Sequence, residues 1–224
     1  MNIYRKNLTI MCGITFLTGL IFYGSIATII RQHRGLSIYE IFILESIFTI
    51  AMLLFEIPWG YFADKFGYKK TLITSYILFL LSKIIFYKAY GFYLFLLEAI
   101  ISSMALAGIS GRDSALIYLS IGDKYSEKAF SKYNASNVAG FFIASLLSTY
   151  IIRISLDATI FYTILSYTLA LVLVFFIEDV DYDKKDVSIR NSFYTLISNK
   201  NIVPFIVSMA LISEATHSIC IFLN

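Results

Sequence analysis

The feature that most constrains this chain is the recurrence of apolar runs about 20 residues long. An α-helix of that length crosses about 30 Å of hydrocarbon, at 1.5 Å per residue. Seven such segments can be marked, over 8–30, 38–61, 70–87, 92–121, 133–152, 158–177 and 202–223. Each is expected to be helical, because lipid offers backbone N–H and C=O groups no partner. Composition agrees: 58% of the residues are apolar and 15% charged, against about 25% charged in soluble domains. The expected class is an all-α, multi-pass membrane protein whose first partner is the lipid bilayer.

The stretches between these segments are short and polar. Arg31, His33 and Arg34 follow the first, and Tyr90-Gly91 turns the chain after the third. A charged loop is expected over 123–132 and a short turn over 153–157. A hydrophilic stretch covers 178–190, and 191–199 suits an interfacial amphipathic piece. The first segment follows Arg5 and Lys6 and is too long for a signal-peptide core, so it is expected to stay as an uncleaved helix. Cys12 and Cys220 lie far apart in apolar runs, which implies buried thiols rather than a disulfide framework or a metal site.

Lysine and arginine set the orientation. With the N-terminus inside, the inner loops hold Arg5, Lys6, Lys65, Lys69, Lys70, Lys124, Lys128, Lys132, Lys184, Lys185, Arg190 and Lys200. The outer loops hold Arg31, Arg34, Lys88 and Arg153, a ratio of 12 to 4, with Lys83 and Arg112 left inside helices. Such a bias predicts a cytoplasmic N-terminus. The net charge of +3 then reflects lysines on one side of a membrane and carries no nucleic-acid signal.

The connection between the second and third segments reads Gly60-x-x-x-Asp64-Lys65-x-Gly67-x-Lys69-Lys70. Gly60 permits close approach of two backbones, and Gly67 a tight turn with positive φ. Asp64, in a very short connection, can cap a helix N-terminus. This pattern resembles the signature loop of the major facilitator superfamily of secondary transporters, G-x-x-x-D-[RK]-x-G-[RK]-[RK], with Tyr68 where a basic residue is usual. Glu56-x-Pro58-x-Gly60 before it is similar to an exporter-like branch of that superfamily. The end of the fourth segment, Gly111-x-Asp113-Ser114-Ala115-Leu116-Ile117-Tyr118, resembles the same branch, but Leu119 stands where Asp is usual.

The resemblance implies a six-helix transmembrane bundle of inverted three-helix repeats over 1–178. It implies a cytoplasmic linker over 179–200 and the first helix of a second half over 201–224. The implied function is secondary active transport of a small molecule across the cell membrane, in the efflux direction for the exporter-like branch. A second half would be supplied by further chain or by a homodimer. On this reading the 224-residue chain is a fragment or an unusual short protein, and alone does not transport. The alternative is a truncated or accessory membrane protein without transport activity of its own. No basic residue stands in the first half of segment 4, and segment 5 lacks Gly-x-x-x-Gly-Pro, so proton exchange gains no support. With no glycine-rich phosphate loop, Ser/His/Asp set or metal-ligand cluster, no enzyme, cofactor, metal or ATP-driven pump is expected.

Charges inside apolar segments are expensive and normally face the bundle interior. Glu45 and Glu56 are 11 residues apart, which returns close to the same helical face; Glu40 lies nearer the surface and is expected to be solvated. Glu98, Arg112 and Asp113 can all point inward, though Glu98 is too far along the helix to pair with Arg112. Glu45, Glu98 and Glu214 are substrate or proton candidates, with buried glutamates that merely tie helices together as the alternative. Glu214 and His217 share a face and suit a helix contact. Glu56, Arg112 and Asp113 are expected to form an inner-gate cluster with Asp64. Lys83 is expected to snorkel to the outer surface.

Overall fold

The computed structural model describes residues 3–180. The chain divides into two units, 1–182 and 183–224, and only the first is described below. The expected segment over 202–223, the amphipathic piece over 191–199, Glu214, His217 and most of the linker lie outside the described residues.

Every regular element among the described residues is helical. They are α1 (Ile3–Gly19), α2 (Ala27–His33), α3 (Ile38–Phe66), α4 (Tyr68–Lys88), α5 (Gly91–Ile109), α6 (Arg112–Ile121), α7 (Asp123–Ile151) and α8 (Leu156–Phe175). Five stretches are long and apolar enough to cross a membrane: Lys6–His33, Ile38–Phe66, Tyr68–Lys88, Gly91–Ile121 and Leu156–Phe175. The expected crossing over 133–152 falls in α7, which has the length but not the apolar content. Its buried positions include the small residues Gly140, Ala144 and Ser148.

Three expectations of helix extent are corrected. The first segment is not one helix: it breaks between α1 and α2, with a single 3₁₀ turn at Gly24–Ile26. Irregular backbone at membrane depth is tolerated only where protein groups satisfy it. Here Phe22 N–H donates to Thr163 Oγ1 at 3.0 Å, and Ser166 Oγ donates to the Leu20 carbonyl at 3.2 Å. The fourth segment also breaks, at Ser110-Gly111, where Gly111 takes φ 76°, a conformation open chiefly to glycine. The charged stretch over 123–132 is not a loop but the first turns of α7. No Gly or Pro stands between Gly122 and Gly140, so nothing stops a helix there.

Packing follows a reciprocal pattern. Counting the broken helices as one each, α1–α2, α3 and α4 make a first set of three, and α5–α6, α7 and α8 a second. The middle helix of each set rests on the first helix of the other, α3 on α5 and α7 on α1, while α4 and α8 meet. At the α1–α7 crossing a Cβ on Gly140 would lie 2.2 Å from the Phe16 carbonyl oxygen. Asn137 Nδ2 donates to the Thr15 carbonyl beside it.

Two apolar clusters fill the bundle ends. One, around Met11, Ile14, Leu72, Leu116 and Val174, lies where α1 begins and α8 ends. The other, around Ile30, Ile41, Leu44, Phe86, Phe95 and Ile160, lies at the opposite end. At the first end Asn7 is buried and clasps the exit of α8. Its Nδ2 donates to Ser120 Oγ and the Glu178 carbonyl, its Oδ1 accepts from Glu178 N–H, and Lys6 pairs with Glu178 at 2.5 Å.

Candidate functional site

Two groups of charges stand out, one at the bundle end that carries the Gly60–Lys70 pattern and one buried between the apolar clusters.

At the signature end, Gly67 alone joins α3 to α4 with φ 95°, the conformation expected of it. Asp64 is not in the connection: it belongs to the last turns of α3, which runs on to Phe66. Glu56, Gly60 and Asp64 of α3, Tyr68 of α4, and Ser110 and Arg112 at the α5–α6 break line an open cleft of about 410 Å³. Arg112 organises it. Nη1 donates to the carbonyls of Ala107 at 2.8 Å and Ser110 at 2.6 Å, and Nη2 to the Glu56 carbonyl at 3.1 Å. These acceptors include the last carbonyls of α5, which a helix leaves unpaired and which attract a cation.

Gly60 does not meet another backbone here. A Cβ at that position would lie 3.4 Å from Arg112 Nη2, so the glycine makes room for the guanidinium. The Glu56, Asp64 and, more weakly, Asp113 carboxylates act electrostatically on Arg112, and Ser110 Oγ donates to Glu56 Oε1 at 3.4 Å. Asp113 does not line the cleft and spends its hydrogen bonds elsewhere: its Oδ2 accepts from Tyr133 O–H at 2.6 Å and its Oδ1 from Ser114 N–H, which ties α6 to α7. Lys65 and Lys70 are exposed, and Lys65 lies over the rings of Tyr61 and Phe66.

The buried group draws one charge from each of four helices. Arg31 of α2 pairs directly with Glu45 of α3, and Lys83 of α4 lies 3.9 Å from Glu98 of α5. Glu45 and Glu98 each sit seven residues into their helices, about 10 Å from the helix start, so they share one level. Side-chain exposure is 15% and 12% in the first pair, 8% and 5% in the second. The pairs are not isolated, since Glu98 also interacts with Arg31 and Glu45. The Lys83 ammonium faces the rings of Phe79, Tyr167 and Tyr23 at 4.9, 5.7 and 5.9 Å, all within cation–π range. Tyr23 stacks on Phe86 with centroids 4.6 Å apart, and Arg31 lies over the same Phe86 ring.

Two cations of this group contradict their expected places. Lys83 does not snorkel; it is buried and points at Glu98. Arg31 is not an outer-loop charge but a helical residue turned into the bundle. A readable signal existed for Lys83: across the Ala89-Tyr90 turn it stands almost as far before the bend as Glu98 stands after it, so a hairpin brings them level. Glu40 closes a capping box with Ser37 at the start of α3. At the same end Arg34, another expected loop charge, is buried. It donates to the Phe86 carbonyl at 2.6 Å, the Ala89 carbonyl at 3.4 Å and Asp157 Oδ1 at 2.6 Å.

Apolar helices that, among the described residues, bury charge only in compensated groups, with broken helices tied by side chains of their neighbours, define a multi-pass helical membrane protein. The profile of the Major Facilitator Superfamily matches residues 8–223, nearly the whole chain, and the chain belongs to that superfamily of membrane transporters. No curated protein matches it. Membership supports membrane transport of some solute, a function that is generally not enzymatic.

Proposed function

We propose that this chain takes part in secondary active transport of a small molecule by alternating access, with the buried group of Arg31, Glu45, Lys83 and Glu98 as the solute or ion site. The observation that carries this is the burial of four ionisable side chains from four helices at one level. A bundle that needed only stability would do as well with apolar residues there, because buried pairs seldom add net stability. Charges held inside a membrane at such cost mark a pathway or a site.

On this reading the cleft at Asp64 and Arg112 belongs to the gate and the signature end faces the cytoplasm, with residues 1–178 as one six-helix repeat bundle and 179–200 as a linker. Efflux is the direction implied by the Glu56-x-Pro58-x-Gly60 pattern. The cell membrane is the expected location. Two measurements test it. Metabolite profiles inside and outside cells are compared for the protein expressed from its complete coding sequence, its Glu98→Gln variant and an empty vector; no solute whose distribution depends on that protein would end the transport reading. A cysteine at Lys69 should resist an impermeant thiol reagent in intact cells, and rapid labelling there would reverse the orientation.

A further inference from the structure

We propose that the buried group is selective for zwitterions, small solutes that carry an ammonium and a carboxylate close together and no net charge; this rests on the transport reading above. The first reason is charge balance. Arg31 and Lys83 are matched by Glu45 and Glu98, so the formal sum is zero. A solute of net charge leaves one charge unpaired in a medium that penalises it. A zwitterion brings one of each sign and keeps every charge matched.

The two pairs are also unequal. Arg31 and Glu45 are in direct hydrogen-bond contact. Lys83 and Glu98 are 3.9 Å apart, beyond hydrogen-bond reach, although both side chains are more than nine-tenths buried. An ammonium has three donors and a carboxylate about four acceptor positions. Both groups therefore keep hydrogen-bonding capacity for a solute that parts them, its ammonium going to Glu98 and its carboxylate to Lys83. Arg31 Nε, buried and with no hydrogen-bond partner, is a further unused donor in the group. The rings of Phe79, Tyr167 and Tyr23 already hold one primary ammonium, that of Lys83. They can hold the solute's when Lys83 swings toward the carboxylate.

A separate observation locates the same place. The break in the first crossing, over residues 20–26, puts Tyr23 against Lys83. Discontinuous helices flank the solute sites of secondary transporters because their free backbone ends can reach a ligand. The Leu20 carbonyl and Phe22 N–H are held here by Ser166 and Thr163, side-chain hydroxyls that can let go without unfolding a helix.

The test uses the full chain in lipid nanodiscs. Ligand-induced shifts in melting temperature are followed by the fluorescence of Trp59, the one tryptophan. Three matched series serve as probes: L-leucine with 3-methylbutylamine and 4-methylpentanoate, L-alanine with ethylamine and propionate, and L-phenylalanine with 2-phenylethylamine and 3-phenylpropionate. In at least one series the amino acid should bind about tenfold more tightly than either single-charge analogue, which is about 1.4 kcal/mol. The Lys83→Met/Glu98→Gln double variant, similar in shape and without both charges, should erase that preference. The comparison within the unaltered chain stands even where the double variant does not fold. An amine or carboxylate that outbinds its amino acid in every series overturns the zwitterion site and leaves the transport reading intact. So does an absence of binding by any probe. The transport reading falls separately, when no solute's distribution depends on the protein expressed from its complete coding sequence.

Discussion

The two charged regions of this bundle solve opposite problems. At the signature end, one guanidinium directs its donors to backbone: Arg112 holds the Ala107 and Ser110 carbonyls, which the α5–α6 break leaves free, and the Glu56 carbonyl of α3. The surrounding carboxylates, Glu56 and Asp64, line an open cleft and keep access to water. In the buried group the charges answer one another, two cations against two carboxylates, with aromatic rings in place of water. The first region is easily charged and easily reorganised. The second is costly to charge and gains nothing unless something uses it, which is why it carries the functional proposal.

That contrast can be broken at its buried end. Lys83→Met removes one partner of a pair with both side chains more than nine-tenths buried, and leaves Glu98 without its nearest cation. Loss of one member of a buried pair costs about 3–5 kcal/mol, the largest effect expected here. Adding Glu98→Gln should recover much of that loss, because no uncompensated charge then remains. Thermal unfolding of the two single variants and the double variant in detergent gives the coupling. Additive losses would mean that the two charges do not compensate each other.

Arg112→Ala should cost less, about 1–3 kcal/mol, the range for leaving buried acceptors unpaired. Three hydrogen bonds are lost, but the cleft is open and water can replace some of them. Arg112→Lys should rescue only part, since an ammonium lacks the planar fork that spans the Ala107, Ser110 and Glu56 carbonyls. Unfolding measurements on both variants decide this, and full rescue by lysine would mean that charge alone matters there.

The sequence makes these regions legible to different degrees. Gly67 and the α3–α4 hairpin are readable because a turn is local, and a φ of 95° needs the residue type found there. Glu45 and Glu98 are readable as candidates because a carboxylate in an apolar run is conspicuous. Their partners are not. Arg31 reads as an outer-loop charge because an apolar run ends just before it, and Lys83 as a snorkelling one because a lysine near a helix end has an easier outlet at the surface. Which of several cations turns inward is decided by packing among α2, α4 and α8, and no local pattern reports that. Asp113 acts on Arg112 but is turned out of the cleft for a similar reason. One residue of helical rotation separates it from Arg112, and that step carries it from the cleft to Tyr133. The breaks at 20–26 and 110–111 are invisible to hydropathy, since the residues that heal them, Thr163, Ser166 and Arg112, lie on other elements or beyond the break.

The smallest effect should be found at Asp64, and salt should expose its character. Asp64 lies half-buried at the mouth of the cleft, acting on Arg112 across accessible space. An exposed or half-exposed pair contributes about 0.2–1 kcal/mol, so Asp64→Asn should lower stability by no more than that at low ionic strength. At about 1 M salt the screening length falls to about 3 Å, and the Asp64→Asn variant should become as stable as the unaltered chain. Glu98→Gln, by contrast, acts inside the bundle, where salt does not reach, and its effect should be the same at both ionic strengths. Unfolding curves of the two variants at low and high salt make the comparison. A salt-insensitive loss at Asp64 would place that carboxylate in the same class as Glu98, as part of the buried machinery rather than a surface-tuned latch.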